Sequence, residues 1–355
     1  MNTDSSRRYF LRQASGALLA FGGGFSPTHG ANSTLQVFFD PAVLEHKPGA
    51  DHPESPERAQ AVMNVVRTIE RQGRLLVGAP RPATEDQILL VHTREYVDRV
   101  RAEIEAGRRQ LSTGDTEIST GSFVAALAAA GTVTSAVDAV LRGSLRRAFC
   151  AVRPPGHHAS PSRGMGFCLF NNIAIGARHA RSGHGVERVL IADWDVHHGN
   201  GTQTVFWNDG SVLFFDTHQH PWYPGTGSPD EQGDGKARGL IMNRPFPAGS
   251  GRRDIVGVFR NELVAAAERF RPQLVMVSAG FDSRLGDPLG RFTLNDADFA
   301  ELTDVMIGIA ERHADGRLVS VLEGGYSLDG LARGVGAHVE RLADPKRLSR
   351  SPRSR

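Results

Sequence analysis

Short apolar runs alternate with amphipathic or Ala-rich stretches along most of the chain, the pattern of doubly buried strands separated by helices. Runs at Gln36–Asp40, Arg74–Ala79, Arg146–Val152, Arg188–Val196, Val212–Thr217, Leu274–Ser278 and Leu318–Leu322 read as strands. Helices are predicted from Ser55 or Pro56 into Ile69, from Thr84, from Val91, and over Phe123–Leu141, Asn171–Ser182, Arg252–Phe270, Asp296–His313 and Leu328–Leu342. Pro and acidic residues in several first turns mark where these helices begin. Alternation of this kind predicts the α/β class, a parallel sheet with helices on both faces. No repeat, linker or break in composition divides Gln36 from Ala343, so residues 33–345 are expected to form one domain.

The two ends depart from that pattern. Ser6-Arg7-Arg8-Tyr9-Phe10-Leu11-Arg12 precedes a Gly/Ala-rich apolar run, which resembles a twin-arginine export signal over residues 1–31 and implies a periplasmic or exported protein. Residues 346–355 hold five basic residues and no acid, as expected of a basic disordered tail. With 41 Lys and Arg against 39 Asp and Glu, the net charge of +2 is too small to argue for a nucleic-acid groove. No segment is expected to span a bilayer. Two cysteines, Cys150 and Cys168, lie in apolar surroundings and rule out a Cys-rich zinc module; buried free thiols are the expectation. Oligomeric state is not legible.

Chemistry collects where strands end. Asp193, Asp195 and His197 sit two residues apart at the end of the Arg188–Val196 run, where strand alternation would send all three to one face. Carboxylates on an otherwise apolar strand need a cation or hydrogen-bond donors. Gly199-Asn200-Gly201 follows, a turn that lets backbone approach closely. Three other strands end in His157-His158, Asp282 and Tyr326, and parallel strands bring such ends to one rim. Asp195, His197 and Asp282 then make an open set of two carboxylates and one imidazole, suited to catalytic zinc and acceptable to Fe(II) or Co(II). A pair of imidazoles beside such an ion suits proton transfer, and the Tyr326 hydroxyl could donate to an oxyanion.

Six motifs in order carry a resemblance. They are Arg153-Pro154-Pro155-Gly156-His157-His158-Ala159, Gly166-Phe167-Cys168-Leu169-Phe170-Asn171-Asn172, Asp193-Trp194-Asp195-Val196-His197-His198-Gly199-Asn200-Gly201-Thr202, Pro224-Gly225-Thr226-Gly227, Ser278-Ala279-Gly280-Phe281-Asp282 and Leu322-Glu323-Gly324-Gly325-Tyr326. Together they resemble the histone deacetylase superfamily, its bacterial class II-like deacetylases and the related acetylpolyamine amidohydrolases. The resemblance implies the arginase/deacetylase fold, with about eight parallel strands. It implies zinc on Asp195, His197 and Asp282, His158 as general base and acid, and His157 as its electrostatic partner held by Asp193. Asn200 stands behind the second histidine where some members carry Asp. Phe167 and Tyr223 would wall a narrow acyl tunnel, the Gly166 carbonyl would accept the scissile amide N–H, and a structural potassium ion would sit at Asp193, Asp195, His197, Asp216 and Thr217.

The resemblance also frames the substrate. Polyamine-specialised relatives place an acidic gatekeeper seven residues beyond the distal metal Asp; here that position is Leu289. Hydrolysis of N-acyl-lysine or a small N-acyl-amine is therefore the leading expectation and acetylpolyamine hydrolysis the alternative, with Asp115 and Glu117 as substitute acids. A non-catalytic acyl-lysine-binding module would lack Tyr326 or a ligand. An arginase-type dinuclear centre would need ligands that the tandem histidines and Gly-Gly-Tyr do not offer.

Overall fold

The computed structural model describes residues 35–344, so the expected export signal and the basic tail both lie outside the described residues. Eight strands form one all-parallel sheet: β1 Leu35–Phe38, β2 Leu76–Gly78, β3 Arg147–Cys150, β4 Val189–Asp193, β5 Val212–Gln219, β6 Ile241–Phe246, β7 Leu274–Ala279 and β8 Leu318–Leu322. Their spatial order is β2-β1-β3-β8-β7-β4-β5-β6. The helices are α1 Pro56–Arg71, α2 Glu85–Ile88, α3 Arg94–Glu105, α4 Ser122–Leu141, α5 Asn172–His184, α6 Asn200–Phe206, α7 Arg252–Val258, α8 Val264–Phe270, α9 Asp296–His313 and α10 Leu328–Ala343. Local chemistry sets many of their starts. Thr84 and Gln87 form a capping box, Asn295 and Asp298 another, and Thr93, Asn171 and Ser327 accept backbone N–H groups at their own first turns. Strands β3, β4, β5, β7 and β8 are buried along their whole length; β4, β7 and β8 are almost wholly apolar, as the sequence pattern predicts, while β5 turns polar from Asp216 onward.

Three features differ from that reading. Strand β6 was not foreseen: Asn243, Arg244 and Pro245 interrupt its apolar run, and as an edge strand it tolerates a proline that cannot donate outward. The Arg252–Phe270 helix is α7 and α8 joined by a π-helical turn at Phe259–Leu263. Against the expectation of no such segment, α4 is long and apolar enough to cross a membrane by length and composition. Its Ala/Val surface is spent on packing, with Ala129, Ala130, Val133, Ala136 and Val137 buried in the main core.

His338 of α10 shows what that core does to a titratable group. It bonds Thr303 Oγ1 (2.6 Å) and Ser320 Oγ (2.9 Å) amid the rings of Phe149, Trp194 and Phe281, and burial lowers its pKa to about 3. The unfolded chain binds this proton near pH 6.5, so the stability it contributes is complete above that pH and is lost as pH falls toward 3. The slope is about 1.4 kcal/mol per pH unit. Thermal melts between pH 7 and pH 5 should show His338→Gln with a visibly shallower acid decline than the parent; parallel slopes would contradict the assignment.

Candidate active site

The reactive residues follow four strands that are contiguous in the sheet, β3, β8, β7 and β4, so their C-terminal ends share one rim. Beyond β3, the buried Arg153–His158 loop carries the tandem histidines. Strand β4 ends at Asp193 rather than Val196, so strand alternation does not place Asp195 and His197. Side-chain turns do: Asp193 Oδ1 accepts from Asp195 N (3.0 Å), and Asp195 Oδ1 accepts from His197 N (2.9 Å). Asp282, just past β7, fixes the same loop by accepting from Val196 N (2.8 Å). The foreseen close approach occurs at Gly201, where a Cβ would stand 2.4 Å from the Ala159 carbonyl oxygen.

Asp195, His197 and Asp282 present ligand atoms within 4.8 Å of one another, all buried. His197 Nδ1 is 3.0 Å from Asp195 Oδ1 and 3.2 Å from Asp282 Oδ2. The set fits a divalent metal on three grounds. Asp282 Oδ2 makes no hydrogen bond although it is buried. Burial, with Asp195 alongside, raises the Asp282 pKa to about 7 against the pull of His197, the cost of crowding two carboxylates in the interior that a cation would offset. Glycines line the cradle: a Cβ on Gly324 would lie 2.0 Å from Asp282 Oδ2, and one on Gly280 2.2 Å from Asp195 Oδ2.

The tandem histidines are split electrostatically. Burial would strip the proton from His157, but Asp195, Asp193 and Glu323 outweigh it and hold the pKa well above the ordinary value; Asp193 Oδ2 lies 2.9 Å from its Nδ1. His158 is driven well below that value by burial and then by His157 and His197. Asn200 Oδ1 is 2.7 Å from His158 Nδ1, while the Asn200 amide nitrogen points to Met165 Sδ (3.4 Å). An amide oxygen only accepts, so His158 carries its hydrogen on Nδ1 and keeps a lone pair on Nε2. The two imidazoles are thus pushed in opposite directions, His157 toward its charged form and His158 toward the free base.

Above these groups opens a cavity of about 240 Å³ lined by Asp115, His158, Gly166, Phe167, His197, Trp222, Tyr223, Leu289 and Tyr326. The four residues expected to contact substrate, Gly166, Phe167, Tyr223 and Leu289, therefore meet around one space with His158, His197 and Tyr326. Tyr223 sets its ring edge-on to His158 (5.2 Å), and Phe167 does so to Tyr326 (5.8 Å). The Gly166 carbonyl already accepts a weak bond from Cys168 Sγ (3.3 Å), and a carbonyl has a second lone pair to offer. Both cysteines are free and buried.

Gly166 (φ 57°) and Phe167 (φ 67°) are both left-handed. A Cβ on Gly166 would come 2.2 Å from His158 Cδ2, so only glycine fits between the loop and that imidazole. Gly166→Ala should displace His158 and lower kcat/KM by about 10²-fold with the far-ultraviolet circular dichroism unchanged. Near-normal kinetics would show that the contact is slack.

Several supporting residues carry no periodicity that would reveal them. Asp287 Oδ2 accepts from Tyr326 N (2.7 Å) and Ser327 N (3.1 Å). Glu323 Oε2 accepts from Gly156 N (2.7 Å) and His157 N (3.2 Å). Arg58 donates to the carbonyls of Gly325 and Glu323, each at 2.6 Å. Their only signal is adjacency to glycine and proline motifs. Asp216, at the level of Asp193 in the neighbouring strand, holds His218 Nδ1 (2.6 Å) and Gly199 N (2.8 Å); Thr217 Oγ1 lies 3.4 Å from the Asp193 carbonyl.

Comparison with known proteins identifies the family. The histone deacetylase domain matches residues 52–342. A probable deacetylase of Archaeoglobus fulgidus is 42% identical over 296 residues, covering 83% of this chain and 82% of its own. A histone deacetylase-like amidohydrolase of Pseudomonas aeruginosa is 40% identical, covering 78% and 73%. Polyamine deacetylase HDAC10 of Homo sapiens is 40% identical, covering 82% of this chain and 45% of the human protein. The crystal structure of the HDA15 HD domain superposes with a TM-score of 0.83 at 36% identity, covering 88% and 90%. With its parallel eight-stranded sheet and its strand-end constellation, the chain belongs to the histone deacetylase family, hydrolases that act on amides.

Proposed function

We propose that this chain hydrolyses N-acyl-lysine or small N-acyl-amines, and the observation that carries the reading is the mainly apolar cavity in which His158, His197 and Tyr326 meet. A divalent ion held by Asp195, His197 and Asp282, zinc first and ferrous iron second, would supply Lewis acidity toward the acyl carbonyl and acidify the attacking water. Phe167 and Tyr223 flank the acyl stem, and Leu289 adds apolar surface. His158, with Nε2 unprotonated, takes a proton from water. His157, charged and bound to Asp193, stabilises the negative charge that develops nearby. Tyr326 donates from its phenol to the oxyanion, and a histidine returns a proton to the leaving amine.

Substrate choice turns on the cavity mouth. Leu289 offers no charge partner for a polyamine, and its carbonyl is tied to Trp222 Nε1 (2.8 Å). Asp115 favours the second reading, acetylpolyamine hydrolysis, since it brings a carboxylate to the cavity. Its Oδ1, however, already accepts from Gly166 N (2.8 Å) and Tyr223 Oη (3.3 Å). The test compares amine release from acetyl-lysine peptides, longer acyl-lysine peptides, acetylputrescine and acetylspermidine by the zinc-loaded protein. Acetyl-lysine peptides should rank first by kcat/KM, and a chelator should abolish release. Polyamines ranking first would transfer the function to the second reading, and no release from any substrate would overturn both.

The same reading includes a structural potassium ion at Asp193, Asp195, His197, Asp216 and Thr217, for which the pairing of Asp193 with Asp216 and the 3.4 Å approach of Thr217 Oγ1 to the Asp193 carbonyl are the support. It also includes export, on the Arg7-Arg8 motif. Cell fractionation should find the parent in the periplasm and the Arg7→Lys, Arg8→Lys variant in the cytoplasm.

A further inference from the structure

Asp138 on α4 and His179 and His184 on α5 form a second convergence of metal-competent groups. Asp138 Oδ1 lies 2.8 Å from His179 Nε2 and 2.7 Å from His184 Nε2. The two imidazoles meet edge-on with centroids 5.7 Å apart. The three ligand atoms all fall within 4.8 Å of one another. We propose that Asp138, His179 and His184 constitute a second divalent transition-metal site, which clamps the C-terminal halves of α4 and α5 together.

The geometry needs little change to admit an ion. Ligands held at 2.0–2.2 Å in a tetrahedral shell stand about 3.3 Å apart, so each nitrogen must withdraw from the oxygen by roughly half an ångström. The donors sit on two long helices packed side by side, which gives them rigid support. The imidazole side chains are 16% exposed and that of Asp138 29%, open enough for water to complete the shell. Arg142 Nη2 occupies the other oxygen, Asp138 Oδ2, at 3.2 Å. The remaining oxygen, Oδ1, faces both imidazole Nε2 atoms, so the three donors that hydrogen-bond to one another without metal are the ones that would share an ion. Two imidazoles and one carboxylate select zinc, cobalt, nickel or copper over magnesium and calcium, which prefer all-oxygen shells.

The site is separate from the catalytic one. Helix α5 starts at the catalytic rim, where Asn172 Nδ2 donates to the Pro154 carbonyl (3.1 Å), and runs back toward the start of β4. His184 lies about 18 Å further along its axis at 1.5 Å per residue.

The experiment counts metal, not turnover. The full chain is equilibrated with zinc, desalted, assayed for bound metal and titrated with zinc alone by calorimetry, beside His179→Gln/His184→Gln. The parent should bind one equivalent more than the double variant, whatever the catalytic set holds, and both should hydrolyse acyl amide at equal rates. Single His184→Gln should weaken the extra equivalent by more than the roughly 10–100-fold typical of losing an outer-shell partner. Equal stoichiometry in parent and double variant would overturn the proposal, as would an extra equivalent that both variants keep with unchanged affinity.

Discussion

Tyr326→Phe is expected to lower turnover by about 10²–10³-fold, the effect of removing one oxyanion donor, while metal content and melting temperature stay at the parent values. The phenylalanine ring would keep the contacts that hold this side chain: the edge-on Phe167 ring and the Arg58 guanidinium 4.9 Å from the ring centre. Asp287 grips the backbone and is indifferent to the substitution. Only the hydroxyl is lost. Burial, reinforced by the Asp282 and Asp195 carboxylates, holds the phenol pKa well above its ordinary value against the pull of Arg58, so the group is a neutral O–H donor throughout the working range. The loss should therefore fall on kcat, with KM nearly unmoved. Turnover within a few-fold of the parent would remove Tyr326 from the chemistry.

Glu54→Gln should be the most damaging substitution outside the cavity, costing about 3–5 kcal/mol of stability. Glu54 is fully buried and receives Arg153 through two bonds, Nε to Oε1 at 2.8 Å and Nη2 to Oε2 at 2.7 Å, with Arg58 Nη1 at 3.1 Å. His46 Nε2 approaches at 3.4 Å. Burial would raise the Glu54 pKa, yet Arg153, His46 and Arg58 hold it well below the usual carboxylate range. Its stabilising contribution is thus present above the unfolded pKa and lost as the solution becomes strongly acidic. Glutamine preserves the volume but leaves two guanidinium groups in the interior without an anion. Urea unfolding at pH 7 should show a lower midpoint, and the melting temperature should fall by on the order of 10 °C. Because Arg58 also holds the Glu323 and Gly325 carbonyls, activity should drop even well below the new melting point. A variant as stable as the parent would mean that the guanidinium groups find water or another anion.

The chemistry was legible in the sequence because parallel strands deliver their C-terminal residues to one rim, whatever separates them in the chain. His158, Asp195, Asp282 and Tyr326 could be grouped on that ground alone. The local mechanism was less legible. Asp195 and His197 reach the rim through carboxylates that accept N–H groups two residues ahead, which repeats the two-residue spacing of a strand without being one. The supporting network was invisible for another reason. Glu54 and Arg153 are 99 residues apart, and a buried ion pair leaves no periodic trace in either segment. Strand β6 escaped notice because an edge strand need not be apolar on both faces, and Pro245 reads as a turn. Export, by contrast, was read from residues that the structure does not describe.

The two halves of the proposed metal set are joined by a backbone N–H. Val196 N donates to Asp282 Oδ1 across 86 residues of chain, joining the loop after β4 to the loop after β7. Neither loop alone holds more than two of the three catalytic donors. The proposed three-donor grip on an ion would therefore arise only once β7 has docked beside β4, so uptake there during refolding should lag behind formation of the first half of the sheet. In the His179→Gln/His184→Gln background, a metal-sensitive dye present from the start of refolding would report the arrival of the C-terminal half, and a ribosome-bound chain truncated before Leu274 would hold no ion at the strand ends.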